Sequence, residues 1–335
     1  YPPRDHWIIE DQSILGWWED HLLRGKQSDV RKTRKDLFML DEEQLKYDIL
    51  EEDSAVFRDE QGELVCVAMR DLCSDPKMVR WADSVVLKNV EIEKNIRVSE
   101  ARLWKEDAGS IVITGWSGGA LSRPAFNWVK NFTKKVSEEE KRSIRYEAAS
   151  VFAVFWNLVR THGPPEVITD LEHFIKDSGL YRMDKHVHGG GGENRYTVPV
   201  DGVEITFDGA DMAPPAGVFA RNYARPVHRE NQPHNWSAAW TTYCDQSVKG
   251  GNFYISEYGI RIRSAANTVV FWKPRDYHAT SLQDIDPSEK AGPHVQSGLS
   301  IVTSLRLPSI FKQYLEGTIS EEGMVKKCYL EGHDE

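Results

Sequence analysis

Three shortages bound this chain before any motif is read. Its four cysteines, Cys66, Cys73, Cys244 and Cys328, lie at no zinc spacing among 335 residues, which argues against a disulfide scaffold and points to free, buried thiols in a reducing compartment. No apolar run approaches the roughly 20 residues of a membrane-spanning helix, so no membrane partner is expected, and Tyr1-Pro-Pro-Arg4 carries no signal-peptide pattern. The expected location is intracellular, nuclear or cytoplasmic; with tyrosine in first position, a targeting segment upstream stays open. Basic charge is also in deficit. Lys and Arg number 42 against 52 Asp and Glu, a net charge of -10, which argues against a surface that coats nucleic acid.

There is ample material for a core: 40% of residues are hydrophobic and 10% aromatic, enough for one large domain or a core with an extension. Residues 13–24 and 42–52 read as helices joined by a basic connector, so 1–54 is expected to be a helical N-terminal extension to a domain spanning 55–335. Residues 55–58 and 64–68 flank Asp59-Glu-Gln-Gly62 as a hairpin. Ser137-Glu-Glu-Glu140 is a capping box opening a long helix, with Tyr146, Ala149, Ala153, Trp156 and Val159 near one face and Gly163-Pro164-Pro165 at its end. A second helix runs to about Lys176, and the two, at about 137–178, are read as helical support for a sheet. Arg24, Lys26, Arg31, Lys32, Arg34 and Lys35 form one basic cluster and Lys130, Lys134 and Lys135 another. Both read either as solvated helix faces or as a DNA or RNA backbone footprint.

The chemistry concentrates downstream. His228 and Glu230 are two positions apart, and strand side chains alternate, so both can point one way while Arg229 points the other. Residues 236–243, 252–256, 260–263 and 268–273 read as strands, with turns at Gly250-Gly251 and Ala265-Ala266-Asn267, and a short link leads into His278. Short strands and tight turns that return a second histidine to the first make a double-stranded β-helix, or jelly roll. The expected fold class is therefore α+β with a jelly-roll core, supporting helices and the N-terminal extension. Two histidines and one carboxylate on one face of an ion leave the opposite face open. The competing readings are a surface hydrogen-bond pair at His228 and Glu230, or a jelly roll that binds a partner and no metal.

Asn222-Tyr223, His228-x-Glu230, Gly250-Gly251, the apolar strand and His278 together resemble the 2-oxoglutarate/Fe(II) dioxygenase superfamily. Within it, the run from Arg221 to Glu230, with Gly118-Gly119 and Pro124, looks most like the TET/JBP-like base oxygenases of fungi. The resemblance covers about the last third of the chain well and the middle loosely. It implies Fe(II) held by His228, Glu230 and His278, 2-oxoglutarate as co-substrate, and oxidation of a C–H group. The leading substrate is a methyl group on a nucleobase, reached after the base is flipped from the stack; a small-molecule or protein hydroxylase is the alternative. The chain departs from the pattern at the co-substrate anchor. The family places an Arg or Lys early in the last strand, and here residues 298–305 contain none. Arg306, or Arg261 or Arg263 from another strand, would supply it, with Asn222 also on the co-substrate side.

Other motifs compete. Gly115-Trp-Ser-Gly-Gly119 matches G-x-S-x-G, which would make Ser117 the nucleophile of a serine hydrolase, but Pro124 and the glycine pair favour a loop over the required strand-to-helix elbow. His234 and His294 fall in Pro-adjacent text and read as solvated, with entry of His294 into the site from a long loop as its other reading. His186-x-His188 before Gly189 to Gly192 reads as a mobile loop. Trp236, Trp240 and Trp272 read as packing. Oligomeric state is not legible.

Overall fold

The computed structural model describes residues 1–24, 33–96, 108–120, 123–129, 136–183, 195–208, 213–287 and 292–319. From the N-terminus run β1 (His6–Ile9), α1 (Leu15–Glu19), β2 (Asp36–Met39), β3 (Tyr47–Ile49), β4 (Ala55–Arg58), β5 (Leu64–Met69) and α2 (Pro76–Ile96). Next come β6 (Ser110–Ala120), β7 (Arg123–Trp128), α3 (Glu138–His162), α4 (Pro165–Ser178), β8 (Arg195–Val200) and β9 (Val203–Asp208). The remainder is β10 (Ala216–Arg221), β11 (Arg225–His228), β12 (Ser237–Cys244), β13 (Phe253–Ile255), β14 (Ile260–Ile262), β15 (Thr268–Trp272), β16 (His278–Thr280), β17 (Gln296–Ile301) and α5 (Leu307–Leu315). The fold is mixed α+β.

Two sheets carry the architecture. The larger has the order β4-β5-β15-β12-β17-β10-β6-β7 and is antiparallel at every pair; the smaller is β11-β16-β13-β14-β3. From β10 onward the chain passes back and forth between them: β10 large, β11 small, β12 large, β13 and β14 small, β15 large, β16 small, β17 large. Cys66, Ala68, Val270 and Trp272 of the large sheet pack against Ile255, Ile260 and Ile262 of the small one. The other face of the large sheet, with Phe219, Trp240, Phe271 and Leu299, is covered by α2 through Val85 and Val86 and by α3 through Phe152, Phe155 and Trp156. β15 is covered on both faces, which is why Thr268-Val-Val-Phe-Trp272 is buried throughout without polar alternation. The fit is close: a Cβ on Gly217 would lie 2.3 Å from the Phe152 ring.

The helix over 138–162 forms as its capping box requires, with Ser137 Oγ accepting the Glu140 N–H at 3.1 Å, and α4 and the β4–β5 hairpin also stand where the sequence puts them. The N-terminal segment differs. Residues 12–24 are helical as expected, but 42–52 holds only a short 3-10 turn, Glu42–Gln44, followed by β3, which joins the small sheet parallel to β14. Ile8 of β1 packs with Val227 and Ala279 beneath the same sheet, so the segment 1–54 is built into the core and is not a purely helical extension. Helix α2 was not expected; its signal is Asp75-Pro76 followed by Met78, Ala82, Val85 and Val86 at helical spacing. No helix among the described residues is long and apolar enough to cross a membrane.

Ser117 lies inside β6, opposite Asn127 of β7, and its Oγ accepts the Gly119 N–H at 3.2 Å. The loop expected at Gly118-Gly119 is therefore an antiparallel hairpin strand, and the strand-to-helix elbow a serine nucleophile needs does not form there. Gly115 (φ +86°) fills the close-approach role instead, since a Cβ on it would stand 2.5 Å from the Pro215 carbonyl. Of the basic clusters, Lys26, Arg31, Lys32, Lys130, Lys134 and Lys135 lie outside the described residues, as do His186, His188 and the glycine run. Arg24 pairs with Glu19 and Asp20, Lys35 with Asp5, and Arg34 donates to the Leu23 carbonyl. Cys66 and Cys73 are free and buried, with burial pushing the Cys66 thiol up to about 12; Cys244 is free and partly buried, and Cys328 lies outside the described residues.

Candidate functional site

A cavity of about 190 Å³ opens between the two sheets. Its floor on the large sheet is made of small side chains, among them Ala220, Ala239, Gly298 and Ser300, and its opposite wall includes His228, Glu230 and His278. The two histidines are partners across the β11–β16 ladder, their rings 4.3 Å apart. β11 ends at His228, yet the Glu230 N–H still donates to the Pro274 carbonyl at 2.8 Å, which carries the extended direction on and turns Arg229 toward the Tyr277 ring.

The protonation of both imidazoles follows from their neighbours. Nδ1 of His228 is 2.8 Å from the Pro226 carbonyl and Nδ1 of His278 is 2.8 Å from the Asp276 carbonyl. A carbonyl oxygen only accepts, so each Nδ1 carries the proton and each Nε2 keeps its lone pair. Burial, and after it the electrostatic cost of a second charge beside His278 and Arg225, pushes His228 down to about 3, and burial also lowers His278. Two neutral imidazoles held by backbone carbonyls are what metal-ligating histidines require. Nε2 of His228 is buried with no hydrogen-bond partner, a deficit that costs about 1–3 kcal/mol if nothing satisfies it.

The carboxylate is engaged differently. Glu230 Oε1 accepts from Gln232 Nε2 at 3.0 Å and Oε2 from Arg225 Nη1 at 3.4 Å. Among the described residues no three or more His, Cys, Asp or Glu side chains are already disposed to hold one metal ion. The donor set nonetheless fits a divalent cation: two neutral nitrogens, one without a partner, and a carboxylate in the same cavity wall.

The expected co-substrate residues scatter. Asn222 lines the cavity, at φ +49°, and its side chain is spent on the backbone, accepting from Val295 and Gln296 N–H and donating to the Pro293 carbonyl. Arg263 also lines it but is bound to Asp48 at 2.8 Å. Arg261 is not in the lining; it is buried in a carboxylate cluster of Asp48, Glu42 and Glu10. Arg306 sits at the start of α5, half-buried, donating to the Gly119 carbonyl at 3.4 Å. These placements correct the expectation that Arg306 or Arg261 reaches the pocket: the last strand ends at Ile301, five residues short of Arg306, and Arg261 is consumed by acids from the N-terminal segment. His234 is another correction. It is buried, its Nδ1 donating to the Trp236 carbonyl and its ring packed on Phe174. His294 is part-buried, stacked on Tyr243 and bonded to Ser297 Oγ, outside the cavity lining. Trp236, Trp240 and Trp272 are buried as expected, and Trp272 lies 5.7 Å from the His278 ring.

Two cavity residues escaped the sequence reading, Arg70 and Arg225, and so did Gln232, which lies outside the lining and bonds Glu230. Arg70 continues the inward alternation Cys66, Ala68, Arg70 just past β5. Its guanidinium bonds Leu50, Asp53 and Arg263 carbonyls and Thr268 Oγ1, all neutral oxygens, and burial lowers its pKa. No family model and no curated protein matches this sequence. Among solved structures the chain is similar to NgTET1 in complex with 5mC DNA, at 8% identity over 87% of this chain and 88% of that one, TM-score 0.41. It is similar also to IDO from Bacillus thuringiensis, at 8% identity over 71% and 88%, TM-score 0.31.

Proposed function

We propose that this protein is an Fe(II)/2-oxoglutarate-dependent dioxygenase that oxidises a C–H group, with a methylated base in DNA or RNA as substrate. The observation that carries the reading is the pair of facing neutral imidazoles, His228 and His278, with a buried partnerless Nε2 and a carboxylate in the same cavity wall. The winding of the chain between two sheets around that cavity supports a jelly-roll core. His228, Glu230 and His278 would hold the ion. When bound, iron with 2-oxoglutarate supplies the oxidation of an unactivated C–H bond by dioxygen.

The chain's own residues do the rest. The carbonyls of Pro226 and Asp276 keep both Nδ1 protonated and both rings oriented. Trp272 and Phe253 pack around His278. Arg70, whose partners are all neutral, is the cation best placed to take the distal carboxylate of the co-substrate, in place of the base the last strand lacks. Ile111 lines the cavity, and Ile113, two residues along β6, is exposed. Together they offer an apolar wall suited to a planar base.

The test combines the protein with Fe(II), 2-oxoglutarate and ascorbate on oligonucleotides carrying 5-methylcytosine, thymine or N6-methyladenine, with mass spectrometry of the digest. An oxidised base, with binding that weakens steeply as salt rises, is the expected result. Succinate formed with a small metabolite or a peptide, and none with the oligonucleotides, would move the substrate to that class.

A further inference from the structure

Gln232 holds Glu230 by a bond that can run only one way. Its side chain is buried, and its carbonyl oxygen accepts from the Thr303 backbone N–H at 3.1 Å and from Ser237 Oγ at 3.2 Å. A backbone N–H only donates, so the amide oxygen must face Thr303 and the NH2 must face Glu230 Oε1. The holder is itself held from two strands of the large sheet, since Ser237 opens β12 and Thr303 follows β17.

Oε2 is held quite differently. Its partner, Arg225 Nη1, stands at 3.4 Å, beyond the usual length of a charge-assisted bond, and the Arg225 side chain is 43% exposed. Arg225 opens β11, with a register shift between it and His228, and lines the same cavity as both histidines. One carboxylate oxygen is thus fixed by a buried neutral donor, and the other is loosely covered by a part-exposed cation that lines the same cavity.

Resting on the metal reading of this site, we infer that Gln232 is a positioning residue that presents Oε2 of Glu230 to a divalent cation, and that Arg225 is its built-in competitor. A cation taken by the histidines displaces Arg225 from Oε2 while Oε1 stays on Gln232. The two side chains, both bonded to the same carboxylate, therefore have opposite effects on cation affinity. Loss of Gln232 frees the carboxylate to rotate and weakens binding. Loss of Arg225 removes both the competitor for Oε2 and a like charge beside the ion, and tightens it.

The experiment is calorimetric titration of the full chain with Mn(II) alone, alongside thermal melts, for the wild type, Gln232→Met, Arg225→Met and Ser237→Ala. Gln232→Met keeps the side-chain length and is expected to weaken Mn(II) binding about 10- to 100-fold, as loss of an outer partner of a ligand does. Arg225→Met is expected to tighten it. Ser237→Ala loosens Gln232 without touching Glu230, should weaken binding less than Gln232→Met, and carries the test if Gln232→Met does not fold. A merely structural role for Arg225 predicts weaker binding with a lower melting temperature, never tighter binding. Unchanged affinity in both Gln232→Met and Ser237→Ala, or weaker binding in Arg225→Met, overturns the inference. A wild type that takes up no Mn(II) brings down the metal reading itself, and the inference with it.

Discussion

Replacing Arg261 by methionine separates two roles that the sequence alone cannot distinguish. The Arg261 side chain is 2% exposed and chelates Asp48 through Nε at 2.8 Å and Nη2 at 2.6 Å, while Nη1 binds Glu42 at 2.6 Å and lies 3.7 Å from Glu10. Asp48 belongs to β3, so the cluster ties that strand to β14 beside their parallel ladder. Methionine keeps most of the stem and removes the charge. Breaking a buried pair from one side costs about 3–5 kcal/mol. Asp48 keeps Arg263 at 2.8 Å and Glu42 is 62% exposed, which puts the cost at the lower end, about 3 kcal/mol. At about 1.4 °C per kcal/mol for a chain of 335 residues, Arg261→Met should melt about 4 °C below the wild type. The Michaelis constant for 2-oxoglutarate, measured in parallel, should stay put. The reasoning is refuted if stability is preserved and the Michaelis constant rises, for Arg261 would then be the co-substrate anchor. Acid titration gives an independent reading. Burial works against the Asp48 charge, but the bonds from Arg261 and Arg263 outweigh it and bring the carboxyl down to about 2 from 3.8. A carboxyl lowered on folding stabilises the native state above the unfolded value and loses that contribution as pH falls through the folded one. The stability gap between wild type and Arg261→Met should therefore be full above pH 4 and shrink toward pH 2.

Anaerobic Fe(II) titration of His278→Ala should show the metal stoichiometry lost, and an unchanged stoichiometry would sink the assignment of the ligand pair. Arg70→Met should raise the Michaelis constant for 2-oxoglutarate about tenfold or more, the worth of a charge-assisted hydrogen bond, while Arg306→Met leaves it unchanged. A rise in Arg306→Met alone would mean that the end of β17 moves to bring that side chain into the cavity.

Legibility followed the range of the interactions concerned. The helix over 138–162, the hairpin at Asp59 and the strands leading to His278 were readable because a capping box, a turn residue and a period of two or 3.6 act within a few positions. Where a longer-range partner decided, the local pattern misled. Glu42-Glu43-Gln44 favours a helix, yet β14 takes Tyr47 to Ile49 as a parallel strand, and tertiary pairing outweighs a propensity worth a few tenths of a kcal/mol per residue. His234 stands among Pro and Asn and looked solvated; Phe174, 60 positions earlier, buries it.

By itself, then, the sequence determined which side chains share one cavity wall: His228 and Glu230 through strand alternation, and His278 through the short strands that bring it back. The tertiary structure alone decided what surrounds them. Arg261 was claimed by Asp48, 213 positions away, Arg306 was left beyond the end of the last strand, Arg70 and Arg225 were brought to the cavity, and Gln232 was brought to Glu230. A side chain's charge is written in the sequence, but which counter-charge neutralises it depends on strand order and on which segments close over it, and no local spacing records either.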